Sequence, residues 1–501
     1  MSNKASPSSL ITFLCDPASY GSSATSVVHH ETHASHIFLV GDAAYKLKKP
    51  LYLDFIDARD PLRRRKFCRD EILLNQRFAP RLYESIIGVK QFSNGSFTLS
   101  PPEDSCIDFL VKMRRFNDDD LFTKIIECGE DDREKMERFA LALAEVHLQE
   151  QPRPEYPAVA VLEKLIKDNI AQIPSDGENR ARIEALKGCL LARYATMAPL
   201  MKERSNTFVK QLHGDLHTRN ICLFEGELVA FDGIEFNPDL NTIDTMLDLS
   251  FLVMDLIHLK AYRAVSIILS TYLRSTSDYF GLSLLPLFIS YRATIRAKIE
   301  ALGPAGWGNR GDKYLLLAEK TILYQQPILF VVGGLSGAGK STIAQIIGEA
   351  IGGIVIRSDF VRKEIFGGSL SEKAPAIAYQ SAATEQVYHE LITRTAAALE
   401  SGLPVIVDAT FINREHQLLI SGLAHTTGAK ITPLWCHCSS TTAANRIAKR
   451  SDDPSDATIS IRIDQERKCV STPSDWIAFS TEGTVAEVNE ELRRLRIIPW
   501  S

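Results

Sequence analysis

Gly334-Leu-Ser-Gly-Ala-Gly339-Lys340-Ser341 fits the spacing G-x-x-x-x-G-K-[ST], directly behind the apolar run Ile328 to Val332 and ahead of Thr342-Ile343-Ala344. Glycines at these positions let backbone N–H groups of Gly334, Ser336, Gly337, Ala338, Gly339 and Thr342 gather around phosphates where a helix begins. Lys340 reaches the outer phosphates, and the Ser341 hydroxyl is a ligand for Mg²⁺. The chemistry this implies is binding of ATP with Mg²⁺. Downstream, Asp359 follows the apolar run Ile354 to Ile356, where a carboxylate can take the proton of an attacking hydroxyl. Asp408 closes the run Val405-Ile-Val as an acid that can hold Mg²⁺ through water. Arg446 and Arg450 are four apart, so on a helix they share a face and can close over the phosphates.

A second constellation lies upstream. His213-Gly-Asp215-Leu-His-Thr-Arg-Asn220, followed by Phe231-Asp232, offers a carboxylate to orient an acceptor hydroxyl and two oxygen-bearing groups for Mg²⁺. Asp215 reads as the base and Asn220 and Asp232 as the metal ligands, with His213 a buried hydrogen-bonding strut. Lys46, at the end of Ala44-Tyr-Lys46, and Glu71, on a helical stretch, suit an ion pair that positions the phosphates of a second ATP. Lys48 shares the strand face of Lys46 and stands as the alternative, because alternation alone cannot separate them.

These residues need particular elements to hold them. Ile37 to Val40 and Ala44 to Leu47, separated by Gly41 and Asp42, predict a hairpin; Arg63 to Phe78 predicts a helix with Phe67, Leu74 and Phe78 on one face. Ile107 to Met113 reads as the strand leading to an adenine-contacting hinge, and helical patterns run from Glu134 to Leu148 and from Ile289 to Ala301. Strands first and helices later suggest an α+β bilobal kinase-like domain over residues 1–325. From residue 326 to 501 apolar runs (Ile328 to Val332, Ile354 to Ile356, Val405 to Val407, Ile431 to Trp435) alternate with helical segments, the pattern of an α/β domain with a parallel sheet.

At 501 residues the chain exceeds what one core supports, and 45% hydrophobic with 24% charged residues excludes fibrous and disordered classes. A net charge of -5 gives no general attraction to nucleic acid or anionic lipid. Nine scattered cysteines do not form a disulfide framework, and no apolar run approaches the roughly 18 residues of a bilayer span. A cytoplasmic protein acting on small molecules with hydroxyl groups is expected, without nucleic-acid or membrane partners. Arg63-Arg-Arg-Lys66 reads as a solvated helix start, and Cys436-His-Cys438 as a packed strand end.

The stretch from 328 to 480 resembles the small P-loop kinases that include gluconate and shikimate kinases, chloramphenicol phosphotransferase and zeta toxins. The resemblance implies Asp359 as general base, Arg362 as a substrate contact, and Arg446 and Arg450 as lid residues. The upstream constellation resembles the aminoglycoside phosphotransferase and choline kinase group. With Thr32 to Ser35, Tyr45 to Pro50, Lys112-Met-Arg-Arg-Phe116 and Phe231-Asp-Gly-Ile-Glu-Phe236, nearly the whole chain is similar to bacterial fusions of an aminoglycoside phosphotransferase-like domain with a P-loop ATP-binding kinase domain. Gly233 stands where that pattern carries Cys, which leaves the metal-ligand residues in place. Two ATP- and Mg²⁺-dependent kinase sites are the resulting expectation; the rival is one active domain gated by a nucleotide-binding neighbour, or a P-loop domain acting on a nucleic-acid 5′-hydroxyl or nucleotide sugar.

Overall fold

Period-two burial along short β-branched and aromatic runs builds the first sheet. The computed structural model describes residues 7–21, 24–53, 56–174, 177–303, 309–323, 325–367, 373–449, 455–468 and 472–499. These fall into two compact units, one of Met1–Lys164 with Ala198–Leu252 and one of Leu165–Met197 with Val253–Ser501. In the first, β1 (Val28–Glu31), β2 (Ser35–Val40) and β3 (Ala43–Lys48) form an antiparallel meander, followed by the two-residue strands β4 (Tyr52–Leu53) and β5 (Ile56–Asp57). With β6 (Tyr83–Gln91), β7 (Phe97–Ser100) and β8 (Asp108–Arg114) they give a sheet of order β1-β2-β3-β8-β6-β7, while β4 and β5 pair only with each other. Phe109, Val111 and Met113 pack with Cys68 and Leu82 in one cluster; Phe38, Leu47 and Leu110 pack with Leu10 and Leu14 in another.

The helix Pro61–Asn75 starts on an Asp60 cap with Pro at its first turn, and it buries Arg64, Cys68, Glu71, Leu74 and Asn75. Three of these five, Arg64, Glu71 and Asn75, are polar or charged. The expected solvated start at Arg63 to Lys66 is corrected at Arg64, whose Nε and Nη2 each donate to Asp108 carboxylate oxygens at 2.8 Å in the interior. The same unit holds β9 (Val209–Gln211), β10 (Ile221–Phe224), β11 (Glu227–Ala230) and β12 (Thr242–Asp244); β10 pairs with β11 and β9 with β12, all antiparallel. The segment from 212 to 220 joins β9 to β10.

The second unit holds five parallel strands: β13 (Ile328–Gly334), β14 (Ile354–Arg357), β15 (Val405–Asp408), β16 (Lys430–His437) and β17 (Ile477–Ser480), in the order β14-β15-β13-β16-β17. Buried on both faces, β13 and β15 read as unbroken apolar runs, as crossover helices on each side require. The helices Lys340–Ile351, Ser381–Leu399 and Arg414–Thr427 lie in the first three crossovers, and Ser440–Ala448 with Ile459–Lys468 in the fourth.

The expected division near residue 325 falls inside this second unit. Its helix Tyr262–Thr276 lies along the edge strand β14, where Ser270 Oγ accepts the Val355 N–H at 3.0 Å and Ser266 Oγ donates to the Gly353 carbonyl at 2.7 Å. Gly348 permits the approach, since a Cβ there would stand 2.7 Å from Ser266 Oγ and 2.6 Å from Val355 Cγ2. Among the described residues no helix is long and apolar enough to cross a membrane.

Candidate active sites

In the first unit, β3 and the helix Pro61–Asn75 bring Lys46, Lys48 and Glu71 together. Lys46 Nζ donates to Glu71 Oε1 at 2.8 Å and also pairs with Asp232 Oδ1. Lys48 Nζ donates to Glu71 Oε2 at 2.5 Å and to Glu235 Oε1 at 2.6 Å. One carboxylate thus bridges both lysines, and the geometry separates what alternation left open: Lys46 faces Asp232, Lys48 faces Glu235. Burial works against the Lys46 charge, but Asp232, Glu71 and Glu235 outweigh it and hold its pKa well above the usual lysine value. Burial likewise pushes the Glu71 carboxyl up, and the two lysines overcome it, holding it at about 2.

Asp215 and Asn220 sit at the two ends of a tight loop. Asn220 Nδ2 donates to the Asp215 carbonyl and to Asp215 Oδ2, both at 3.0 Å. His213 is fully buried; its Nε2 lies 2.9 Å from the Phe231 carbonyl, so that nitrogen carries the proton, and burial lowers its pKa. Asp232 adopts φ 60°, a left-handed conformation that a non-glycine residue holds only when its surroundings enforce it. Here Tyr83 Oη accepts the Asp232 N–H at 2.9 Å and Asn75 Oδ1 accepts the Gly233 N–H at 2.8 Å.

The sequence reading missed the group that fixes this loop. Asp248 is fully buried and accepts the His213 and Gly214 N–H groups at 3.2 and 2.8 Å, with His147 Nε2 at 3.2 Å. Burial pushes its carboxyl up, yet the hydrogen bond and charge of His147, the His213 charge and the Gly214 N–H together outweigh burial and lower it.

Because the folded Glu71 pKa lies below the roughly 4.3 of an unfolded glutamate, its contribution to stability is fully present above that value. It is lost as pH falls from there toward about 2. Urea unfolding between about pH 5 and pH 3 should show falling stability, and Glu71→Gln should flatten that slope; an unchanged slope would contradict the pairing.

In the second unit the loop from Gly334 to Ser341 joins β13 to the helix Lys340–Ile351, whose N-cap Gly339 has φ 79°. Gly334, at φ 135°, admits no side chain, for a Cβ would collide with the Cys436 carbonyl oxygen. Ser336, Gly337, Gly339, Lys340, Ser341 and Thr342 line a cleft of 1060 Å³ together with Asp359, Arg362, Asp408 and Arg446. Ala338 is buried behind it. Burial, then the Asp408 charge, raises the Asp359 pKa. Arg362 donates to the Ala378 carbonyl, with its guanidinium 5.0 Å from the Tyr379 ring. Arg446 donates to Thr481 Oγ1 at 3.0 Å and to the Thr481 carbonyl at 2.6 Å, which brings it beside Gly339. Arg450 lies outside the described residues.

Asp408 is 3% exposed and its Oδ2 makes no hydrogen bond, although Arg357 Nε approaches to 3.3 Å. Arg357 Nη2 also donates to Ser341 Oγ at 3.0 Å. The Ser341 and Asp408 oxygens therefore already face one shared positive group, which fits them to a divalent cation. Arg357 itself escaped the sequence reading, as did the helix Ile459–Lys468, from which Arg462 and Gln465 hold the loop at Ser336.

An AAA domain profile matches residues 329–470. Uncharacterized proteins of Mycobacterium tuberculosis and Mycobacterium bovis are 29% identical over 452 residues, which cover 86% of this chain and 88% of theirs. Among solved structures, a choline/ethanolamine kinase family protein from Mesorhizobium loti matches with TM-score 0.40 at 9% identity, over 63% of this chain and 95% of its own. A gluconokinase from Sinorhizobium meliloti matches with TM-score 0.27 at 23% identity, over 34% of this chain and 95% of its own.

Proposed function

We propose that the chain is an ATP-dependent phosphotransferase with two separate sites, each moving the terminal phosphoryl group of ATP to a hydroxyl of a small molecule. The observation that carries the reading is that each unit has its own complete set of groups. Lys46, Glu71, Asp215, Asn220 and Asp232 converge in the first. Lys340, Ser341, Asp359 and Asp408 line one cleft in the second.

In each site the acceptor oxygen forms a bond to phosphorus as the bond to the bridging oxygen of ADP breaks. The electron pair leaves with ADP, and the hydroxyl proton goes to Asp215 in the first site or Asp359 in the second. Lys46, oriented by Glu71, holds phosphate oxygens in the first; Lys340 and the amides of Gly337, Gly339 and Thr342 hold them in the second, because the Gly334, Ser336 and Ala338 N–H groups, expected at the phosphates, are bonded to Thr410, Gln465 and Leu335 oxygens. Asn220 with Asp232, and Ser341 with Asp408, would hold Mg²⁺, which when bound supplies neutralisation of phosphate charge. Arg362 contacts the acceptor, and Arg446 lies over the phosphates.

The test incubates the full chain with ATP labelled in its terminal phosphate and a metabolite extract, then identifies labelled products by mass spectrometry. Lys340→Met and Asp215→Asn should each abolish a different subset of products, and the double variant all of them. If either single variant abolished every product, one composite site would replace two.

A further inference from the structure

We infer that Gln465 belongs to the nucleotide site of the second unit, where its side-chain amide binds the terminal phosphate and makes the site prefer a triphosphate to a diphosphate. This rests on the reading of Gly334 to Ser341 as a nucleotide cradle. The Leu335–Ser336 peptide is gripped on both sides: Lys340 Nζ donates to its carbonyl at 3.1 Å, and its N–H donates to Gln465 Oε1 at 2.8 Å. The next carbonyl, that of Ser336, accepts from Arg462 Nη1 at 2.8 Å, and the buried Arg462 is itself held by Glu466 Oε1 at 2.8 Å. The helix Ile459–Lys468 therefore grasps the loop by two successive backbone groups, at the peptide Lys340 also touches.

A backbone N–H can meet only the oxygen of a carboxamide, so the orientation of the Gln465 amide is fixed, and its Nε2 is left with two protons to donate. Gln465 lines the same cleft as Ser336, Gly337 and Lys340. In that cleft Lys340 is the residue that reaches the outer phosphates, and with three donors on its ammonium it can do so while keeping the Leu335 carbonyl. Gln465 and Lys340 hold opposite sides of one peptide and both line that cleft, so an outermost phosphate drawn in by the ammonium is offered to the amide nitrogen from the other side. A triphosphate offers oxygen acceptors there; a diphosphate, lacking the outermost group, does not.

The competing account is that Gln465 only braces the loop. Glu at this position separates the two, because it keeps the acceptor for the Ser336 N–H while exchanging the donor for a negative charge. Calorimetric titrations of the full chain carrying Asp232→Ala, which silences the first site, would use MgADP and the non-hydrolysable analogue MgAMPPNP. Gln465→Glu should weaken MgAMPPNP about tenfold or more while leaving MgADP within about threefold, the size of a lost hydrogen bond to a charged group. Gln465→Leu, which loses the brace as well, should weaken both, MgAMPPNP the more. An equal change for both nucleotides with Gln465→Glu, or none, would reduce Gln465 to a brace and overturn the inference. Failure of the Asp232→Ala chain to bind either nucleotide would instead overturn the cradle reading on which it stands.

Discussion

Replacing Asp215 by Ala, in a chain whose second site is disabled by Lys340→Met, should lower phosphoryl transfer by about 10² to 10⁴ while nucleotide affinity stays within a few fold. The reason lies in what each carboxylate touches. Asp215 is held by Asn220 at the head of the loop and is the proposed base for the acceptor, whereas Asp232 pairs with Lys46, the proposed phosphate-holding residue. Asp232→Ala should therefore weaken nucleotide binding and turnover together, because a metal that bridges phosphates acts in the ground state as well as in the transition state. Single-turnover transfer and nucleotide titration on the same preparations separate the two. Near-normal transfer by Asp215→Ala would remove it from the base role.

The second large effect falls on stability. Arg64 donates to both Asp108 oxygens and also to the Ala58 and Arg59 carbonyls at 2.7 and 3.0 Å, all in the interior of the first unit. Truncating one member of a buried pair leaves the other charge uncompensated, at a cost of about 3–5 kcal/mol. Burial already pushes the Asp108 carboxyl up against the pull of Arg64, so the orphaned acid can take a proton and bring the loss toward about 3 kcal/mol. Arg64→Ala should show this by urea unfolding, and adding Asp108→Ala should recover part of it. Additive losses in the double variant would show that the two residues do not act as a pair.

What the sequence made legible follows from how each element buries itself. The strands of the parallel sheet are covered on both faces, so β13 and β15 announced themselves as apolar runs ending at the loop and at Asp408. The β2–β3 hairpin was readable from its two-residue turn, and the pairing of Lys46 with Glu71 from strand and helix lying in succession. The helix Pro61–Asn75 was harder. Its expected apolar face of Phe67, Leu74 and Phe78 gives way to a helix that ends at Asn75 and turns Arg64 and Glu71 inward, because paired charges replace apolar contacts and hydropathy cannot register a partner.

Residues acting across long separations left no local signal. Asp248 lies in a helix well beyond the loop it holds, and Gln465 lies 129 residues from Ser336. The allegiance of the helix Tyr262–Thr276 was hidden for a related reason: it meets β14 through Ser266 and Ser270, and serines on a helix read as surface.

That serine-lined edge also bears on how the chain is made. The helix Tyr262–Thr276 leaves the ribosome before any strand of the second sheet, and β14 emerges about 50 residues ahead of β15, its only neighbour in that sheet. At synthesis rates of about 5–20 residues per second, β14 waits several seconds without a strand beside it, a state that invites pairing with other nascent chains. The hydroxyls of Ser266 and Ser270 are already present to take up backbone groups at Val355 and Gly353 during that interval. The order of segments along the chain thus lets an early helix chaperone a late strand within the same molecule.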